Sequence, residues 1–177
     1  MRLVAVEDVN GNHEAFLAHI RPLFADYAHS LNIGLDFQGF NAELASLPGA
    51  YLPPGGALLL VMVDGQPAGC GAFRALPARE QGTAAYVDDY PRPCEMKRLY
   101  VRPAFRGLGL GRLLAEALVA RARGSHYATM LLDTLSDMTA ACSLYAALGF
   151  VAVPPYCYNP VAGARYLKLD LGQHHPT

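Results

Sequence analysis

One short stretch limits what this chain can be. Arg106-Gly107-Leu108-Gly109-Leu110-Gly111 stands between an apolar segment, residues 96–101, that reads as a strand, and a run with the apolar stripe of a helix. Alternate glycines at such a junction place no Cβ between the backbone and a ligand. The first turn of the helix adds unpaired N–H donors and the positive end of the helix dipole. Arg106 and Arg112 flank the turn. The stretch predicts an anion cradle, with a phosphate group as the expected occupant.

The patterning on either side places this unit in a larger sheet. Residues 2–6 alternate as a strand. Residues 13–31 carry Phe16, Ile20, Leu23, Phe24 and Tyr27 at helical spacing, and Pro22 predicts a kink or two helical pieces. Residues 37–47 read as a short helix stopped by Pro48-Gly49. Two strands, 57–63 and 67–76, flank Asp64-Gly65, a two-residue hairpin signal. A long loop over 77–93 contains Asp88-Asp89. After it come a strand (94–101), the glycine turn, a helix (110–123) with Gly124 as its C′ residue, and a strand (129–134). A helix (137–148) capped by Ser136 or Asp137 follows, then strands at 150–153 and 165–171. An antiparallel first half and a strand–helix second half argue for a mixed α/β sheet with helices on both faces.

At 177 residues the chain is expected to be a single domain, with 172–177 as a flexible tail. A net charge of −1 gives no electrostatic support for bulk nucleic-acid binding. The opening MRLVAVEDVN lacks the apolar run of a signal peptide, and no stretch is long enough for a membrane span. Cys70, Cys94, Cys142 and Cys157 are far apart and form no C-x-x-C, which suits a reduced, cytoplasmic protein. No ligand spacing for zinc occurs, so no metal is expected.

Three motif classes compete for the glycine turn. A Walker A loop ends in Gly-Lys-Ser/Thr, whereas Gly111 is followed by Arg112-Leu113. A dinucleotide fingerprint needs its third glycine where Leu114 stands, and a tighter exit from the strand than residues 102–106 allow, although Asp133 lies at a strand end downstream. The third class fits. Arg106-x-x-Gly109-x-Gly111 resembles the R/Q-x-x-G-x-G/A acyl-CoA motif of the GNAT superfamily of N-acetyltransferases. Leu144-Tyr145-Ala146-Ala147-Leu148-Gly149-Phe150 resembles the family's L-Y-x-x-x-G-F segment. One departure is Met138, where the family often has Asn; Ser136, Asp137 or Thr139 would have to supply that hydrogen bond.

The resemblance implies a mostly antiparallel sheet of about seven strands with a splayed central pair, and residues 94–153 as the cofactor-binding core. The pantetheine arm of acetyl-CoA would lie in the splay against the backbone of Leu99, Tyr100 and Val101. The N–H groups of Arg106, Gly107, Leu108, Gly109, Leu110, Gly111 and Arg112 would hold the pyrophosphate. A primary amine, on a small molecule or a peptide, would attack the thioester directly. Such an amine has a pKa of about 10.4, so a base is useful at neutral pH. Glu95 is the candidate base, with a strand-end carboxylate paired to Lys97 as the plainer reading. Tyr145 is the candidate acid for the leaving thiolate, with packing against Ala141 and Leu148 as the alternative. Asp88-Asp89 are candidates for attracting the amine, and Tyr156, Tyr158 and Asn159 for lining its pocket. Lys97 and Arg98 are expected to point to opposite faces of their strand. A homodimer is expected from family habit alone. The competing function is a non-catalytic acyl-CoA-binding regulatory domain.

Overall fold

The computed structural model describes residues 1–5, 13–31, 34–35, 38–76 and 90–172. Among these, seven strands form one sheet in the order β1-β2-β3-β4-β5-β7-β6. They are β1 (Arg2–Ala5), β2 (Ala57–Val63), β3 (Gln66–Ala75), β4 (Pro93–Val101), β5 (Thr129–Leu135), β6 (Val151–Val153) and β7 (Ala164–Asp170). The four α-helices described are α1 (His13–Ser30), α2 (Phe40–Ser46), α3 (Leu110–Gly124) and α4 (Thr139–Ala147). Only β4 and β5 run parallel; every other neighbouring pair is antiparallel. The β2–β3 hairpin turns on Asp64 and Gly65, both at positive φ (49° and 78°), as a tight hairpin of this twist requires.

Both faces of the sheet are covered. On one, Leu110, Leu114 and Leu118 of α3 pack on Leu59, Val61, Phe73, Met96, Met130 and Leu132. On the other, Phe16, Leu17, Ile20, Leu23 and Phe24 of α1 pack on Leu58, Leu60, Cys70 and Ala72. Two-sided burial is why β2 reads as the unbroken apolar run ALLLVMV rather than as an alternation.

Local details depart from the sequence expectations. Helix α1 continues through Pro22 as one helix, held by its buried face, which loses only the hydrogen bond that the proline nitrogen cannot donate. Helix α2 starts at Phe40 because Gly39 takes a left-handed conformation before it. Helix α3 runs through Gly124, and the left-handed residue beyond it is His126 (φ 62°). Helix α4 starts at Thr139 after Met138, without the side-chain cap expected from Ser136 or Asp137. Asp88, Asp89, most of the predicted 77–93 loop, and the tail beyond Gly172 lie outside the described residues.

The expected splay is present. Strands β4 and β5 pair only at Pro93↔Thr129, Cys94↔Met130 and Glu95↔Leu131. Beyond Glu95 both strands continue, but apart. A bulge in β4 accompanies the opening: Cys70 faces Tyr100 and Ala72 faces Lys97, so Gly71 opposes both Arg98 and Leu99. Arg98 carries the bulge at φ 58°. Gly71 fits closely there: a Cβ would lie 3.0 Å from Leu118 Cδ1 and 3.2 Å from Leu99 Cδ1, so those side chains would have to shift by a few tenths of an ångström. The extra residue changes which way the strand faces. Lys97, opposite Ala72, and Arg98, beside Phe40 and Tyr27, both lie on the α1 face, and Leu99 packs toward α3. The expected split of Lys97 and Arg98 across the strand therefore does not occur.

Candidate active site in the cleft between β4 and β5

The splay makes a cleft through the sheet. It is lined by Met96, Lys97, Arg98 and Leu99 from β4, and by Asp133, Thr134 and Leu135 from β5. Tyr145 and Met138 close it from the α4 side, and Tyr27, Leu31, Leu35, Gln38 and Asn159 from the other. The cleft thus has two mouths, one on each face of the sheet.

The first mouth is on the side of the glycine turn, where a Cβ on Gly111 would lie 3.7 Å from Leu144 Cδ2 and 4.0 Å from Val101 Cγ2. Between β4 and α3 the chain makes a single 3-10 turn, Pro103–Phe105, and then the glycines. Gly107 (φ 80°) and Gly109 (φ 75°) occupy left-handed backbone that a β-carbon disfavours, and Gly109 directly precedes α3. The Arg106 N–H is spent on Pro103 O at 3.2 Å, so the row of free donors starts at Gly107 rather than at Arg106. Among the described residues, no backbone N–H from Gly107 to Arg112 bonds another backbone group; the first helical bond is Leu113 N to Gly109 O at 3.1 Å. A Cβ built on Gly107 or Gly109 meets nothing within 4 Å, so the space over the turn is open to a ligand. These features fit an anionic diphosphate. The Arg106 guanidinium lies back over β4, donating to Val101 O at 3.2 Å.

The three strand residues expected along the pantetheine arm are not equivalent. Arg102 N–H bonds Ala68 O at 2.9 Å, and Tyr100 faces Cys70 in register. Antiparallel alternation therefore turns the Tyr100 backbone toward β3 and that of Val101 toward the open edge. The Tyr100 ring packs on the α1 face against Tyr27, with centroids 6.1 Å apart.

Tyr145 projects from α4 into the cleft and is buried, its ring 5.6 Å from that of Phe150. Among the described residues its hydroxyl has no hydrogen-bond partner, yet no fully enclosed side-chain polar atom is left unpaired, so the hydroxyl faces the open space of the cleft. Burial, with a smaller contribution from the charges around it, holds its proton well above the usual phenol range. At neutral pH it is a hydrogen-bond donor.

The second mouth, on the α1 face, is built from side chains. Glu95 is 2% exposed and sits where the strands still pair. Its Oε2 accepts from Arg74 Nε at 3.1 Å; its Oε1 accepts from the Tyr156 hydroxyl at 3.0 Å and from Lys97 Nζ at 3.5 Å. Burial alone would raise its pKa, but Lys97, Arg74 and Tyr156 together hold it below the ordinary carboxylate value. Glu95 does not line the cleft, and its three donors fit an anchoring carboxylate better than a proton acceptor.

A second network spans the mouth. The Arg98 guanidinium donates from Nε and Nη2 to the two oxygens of Glu43, both at 2.8 Å, and from Nη1 to Gln38 Oε1 at 2.9 Å. Gln38 Nε2 donates to Asp133 Oδ2 at 3.2 Å, and Asn159 Nδ2 donates to the same oxygen at 2.7 Å. This chain of bonds ties the segment before α2, the bulge of β4, the edge of β5 and the β6–β7 connection together. Of the three residues expected to line the acceptor pocket, Asn159 lines the cleft, Tyr156 is wholly buried against Glu95, and Tyr158 points to solvent at 67% exposure. Glu95, Asp133 and Cys157 place ligand atoms within 4.8 Å of one another. The three donors already on Glu95 make this an ill-suited metal site.

Sequence reasoning passed over Asp133, Gln38 and Arg98 as site residues. Asp133 could have been found from its place at the end of β5, two residues beyond the last paired position. Nothing local marks Gln38 or the bulge at Arg98.

Comparison with known proteins agrees with this geometry. Residues 23–150 match the model of the acetyltransferase (GNAT) family. An uncharacterized N-acetyltransferase of Schizosaccharomyces pombe is 34% identical over 89% of this chain and 90% of its own length. One from Dictyostelium discoideum is 32% identical over 86% and 93%. Among solved structures, a GNAT-family acetyltransferase of Staphylococcus aureus superposes with a TM-score of 0.69 at 14% identity, covering 97% of this chain and 100% of that one. YncA of Salmonella typhimurium, solved with its cofactor acetyl-CoA, gives 0.58 at 23% identity over 77% and 76%. The chain belongs to the GNAT family of acetyl-CoA-dependent acyltransferases.

Proposed function

We propose that this protein transfers the acetyl group of acetyl-CoA to a primary amine by direct attack on the thioester. The observation that carries this reading is the splay of β4 from β5, with a row of free N–H groups in the turn that follows β4 and a polar mouth on the α1 face. In this reading the N–H groups of residues 107–112 hold the pyrophosphate, and the backbone of Val101 and its neighbours aligns the pantetheine arm. The amine enters from the α1 face and its nitrogen attacks the carbonyl carbon. The C–S bond breaks, and the departing sulfur takes a proton from the Tyr145 hydroxyl. The amine's own proton leaves through water in the cleft, which in turn restores Tyr145. Glu95 holds the frame of this mouth; its low pKa makes it a poor first acceptor of an ammonium proton.

Release of CoA thiol with acetyl-CoA and a panel of amines and peptides tests the proposal, alongside the thermal shift produced by acetyl-CoA. Turnover with at least one amine is expected. A thermal shift without thiol release from any acceptor would leave only an acyl-CoA-binding domain.

A further inference from the structure

We infer that Asp133 reads the charge of the acceptor, so that the protein takes cationic alkylamines in preference to neutral arylamines of the same size. The inference rests on the acetyl-transfer reading above and names a recognition residue for its second substrate.

Three observations carry it. First, Asp133 is the next residue on the α1 face of β5 after Leu131, whose partner Glu95 is the last paired position of β4. Its side chain therefore stands where the cleft opens, and it lines that cleft. Second, its bonding is one-sided. Oδ2 takes both carboxamide donors, from Gln38 and Asn159, which fixes the plane of the group. Oδ1 has no partner among the described residues, and since no enclosed polar atom is left unpaired, it faces the cleft. Third, it differs from the other two carboxylates of this mouth. Glu95 is met by Arg74, Lys97 and a tyrosine hydroxyl, and Glu43 by the fork of Arg98 and the Tyr51 hydroxyl at 2.8 Å. The two hydrogen-bond partners of Asp133 among the described residues, Gln38 and Asn159, are both neutral.

The charge is felt throughout the mouth. Burial is the main cause that raises the pKa values of Tyr27, Tyr156, Tyr166 and Cys157, and the Asp133 carboxylate adds to each. With Leu31, Leu35 and Leu135 alongside, water screens it poorly. An alkylammonium placed at Oδ1 gains a charge-assisted hydrogen bond there, and gives one proton to water in the cleft before its nitrogen attacks, so its acetylation releases one net proton; a neutral arylamine gains far less from Oδ1.

The test compares acceptors that differ in charge but not in size, beginning with the isomers benzylamine, cationic at neutral pH, and p-toluidine, neutral there. Acetyl transfer by the wild-type protein is expected to favour the cationic member of each pair. Asp133→Asn keeps an oxygen for Gln38 and Asn159 but removes the charge. Its KM for the cationic acceptor should rise about 10- to 100-fold, as for loss of one charged hydrogen-bond partner, with little change for the neutral one and an unchanged acetyl-CoA thermal shift. Asp133→Glu should restore part of the preference. Should Asp133→Asn fail to fold, the wild-type KM values still decide: that of the cationic isomer must lie below that of the neutral one, whatever the difference in their intrinsic nucleophilicity. Equal use of both isomers, turnover of arylamines alone, or a parallel loss for both in Asp133→Asn overturns the inference while leaving acetyl transfer standing. Absence of thiol release from every acceptor removes both.

Discussion

The two mouths of the cleft are made of different materials. The one facing α3 is backbone: six consecutive N–H groups, from Gly107 to Arg112, freed by two left-handed glycines and a helix start. The one facing α1 is side chains, and its network draws on Gln38, Glu43, Arg98, Asp133 and Asn159 from separate parts of the chain. A backbone cradle recognises what all acyl-CoA donors share. A side-chain network can be rebuilt one residue at a time, and so can suit a particular acceptor. The difference also divides the energetics: the second mouth holds Glu95 and Glu43 in ion pairs with Arg74, Lys97 and Arg98, so damage there reaches folding as well as binding.

The largest effect should come from Glu43→Ala. It leaves the Arg98 guanidinium, whose side chain is 1% exposed, without its bidentate partner. Breaking a buried pair in this way costs about 3–5 kcal/mol, read as a lower urea midpoint with the slope unchanged. A loss near zero would mean that the second mouth is not held by its ion pairs. Tyr145→Phe comes next and probes the point where the mouths meet. Acetyl-CoA binding should persist while kcat falls roughly 100-fold, the low end of what a positioned acid contributes; equal rates would return Tyr145 to a packing role.

Gly109→Val attacks the first mouth alone. A β-branched residue at φ 75° strains the backbone by about 1–3 kcal/mol, and its side chain enters the ligand space. The KM for acetyl-CoA should rise at least about tenfold with the amine KM little changed. A matched rise in both would show that the mouths are not separable. The smallest effect concerns Glu95 and acid. Its folded pKa lies below the unfolded value of about 4.3. Its carboxylate therefore stabilises the fold above that pH, and the contribution fades as pH falls from there through the folded value. Glu95→Gln should flatten the acid limb of a stability–pH curve and leave the kcat profile near neutrality in place. A large kcat loss with unaltered stability would make Glu95 the base after all.

The same contrast explains what was legible beforehand. The glycine turn could be read directly because free N–H groups, positive φ and a helix start are local demands that specific residue types meet in sequence. The Tyr145 segment was legible by resemblance, and the β2–β3 hairpin by Asp64-Gly65. Lys97 and Arg98 were misplaced because strand alternation holds only where no bulge intervenes, and the bulge lies opposite Gly71 in the neighbouring strand. The start of α4 and the end of α3 also differ by one or two residues: Met138 precedes α4 without a side-chain cap, and the left-handed residue beyond α3 is His126 rather than Gly124.

By itself, then, the sequence determined the family, the order of elements, the backbone cradle and the tyrosine beside it, since each depends on neighbours along the chain. The tertiary structure decided the partners of the charged groups. It buried Glu95 among three donors, tied Arg98 to Glu43, and left Asp133 facing the cleft with neutral partners. Charges that meet across the fold come from distant positions in the chain, and only packing brings them within reach.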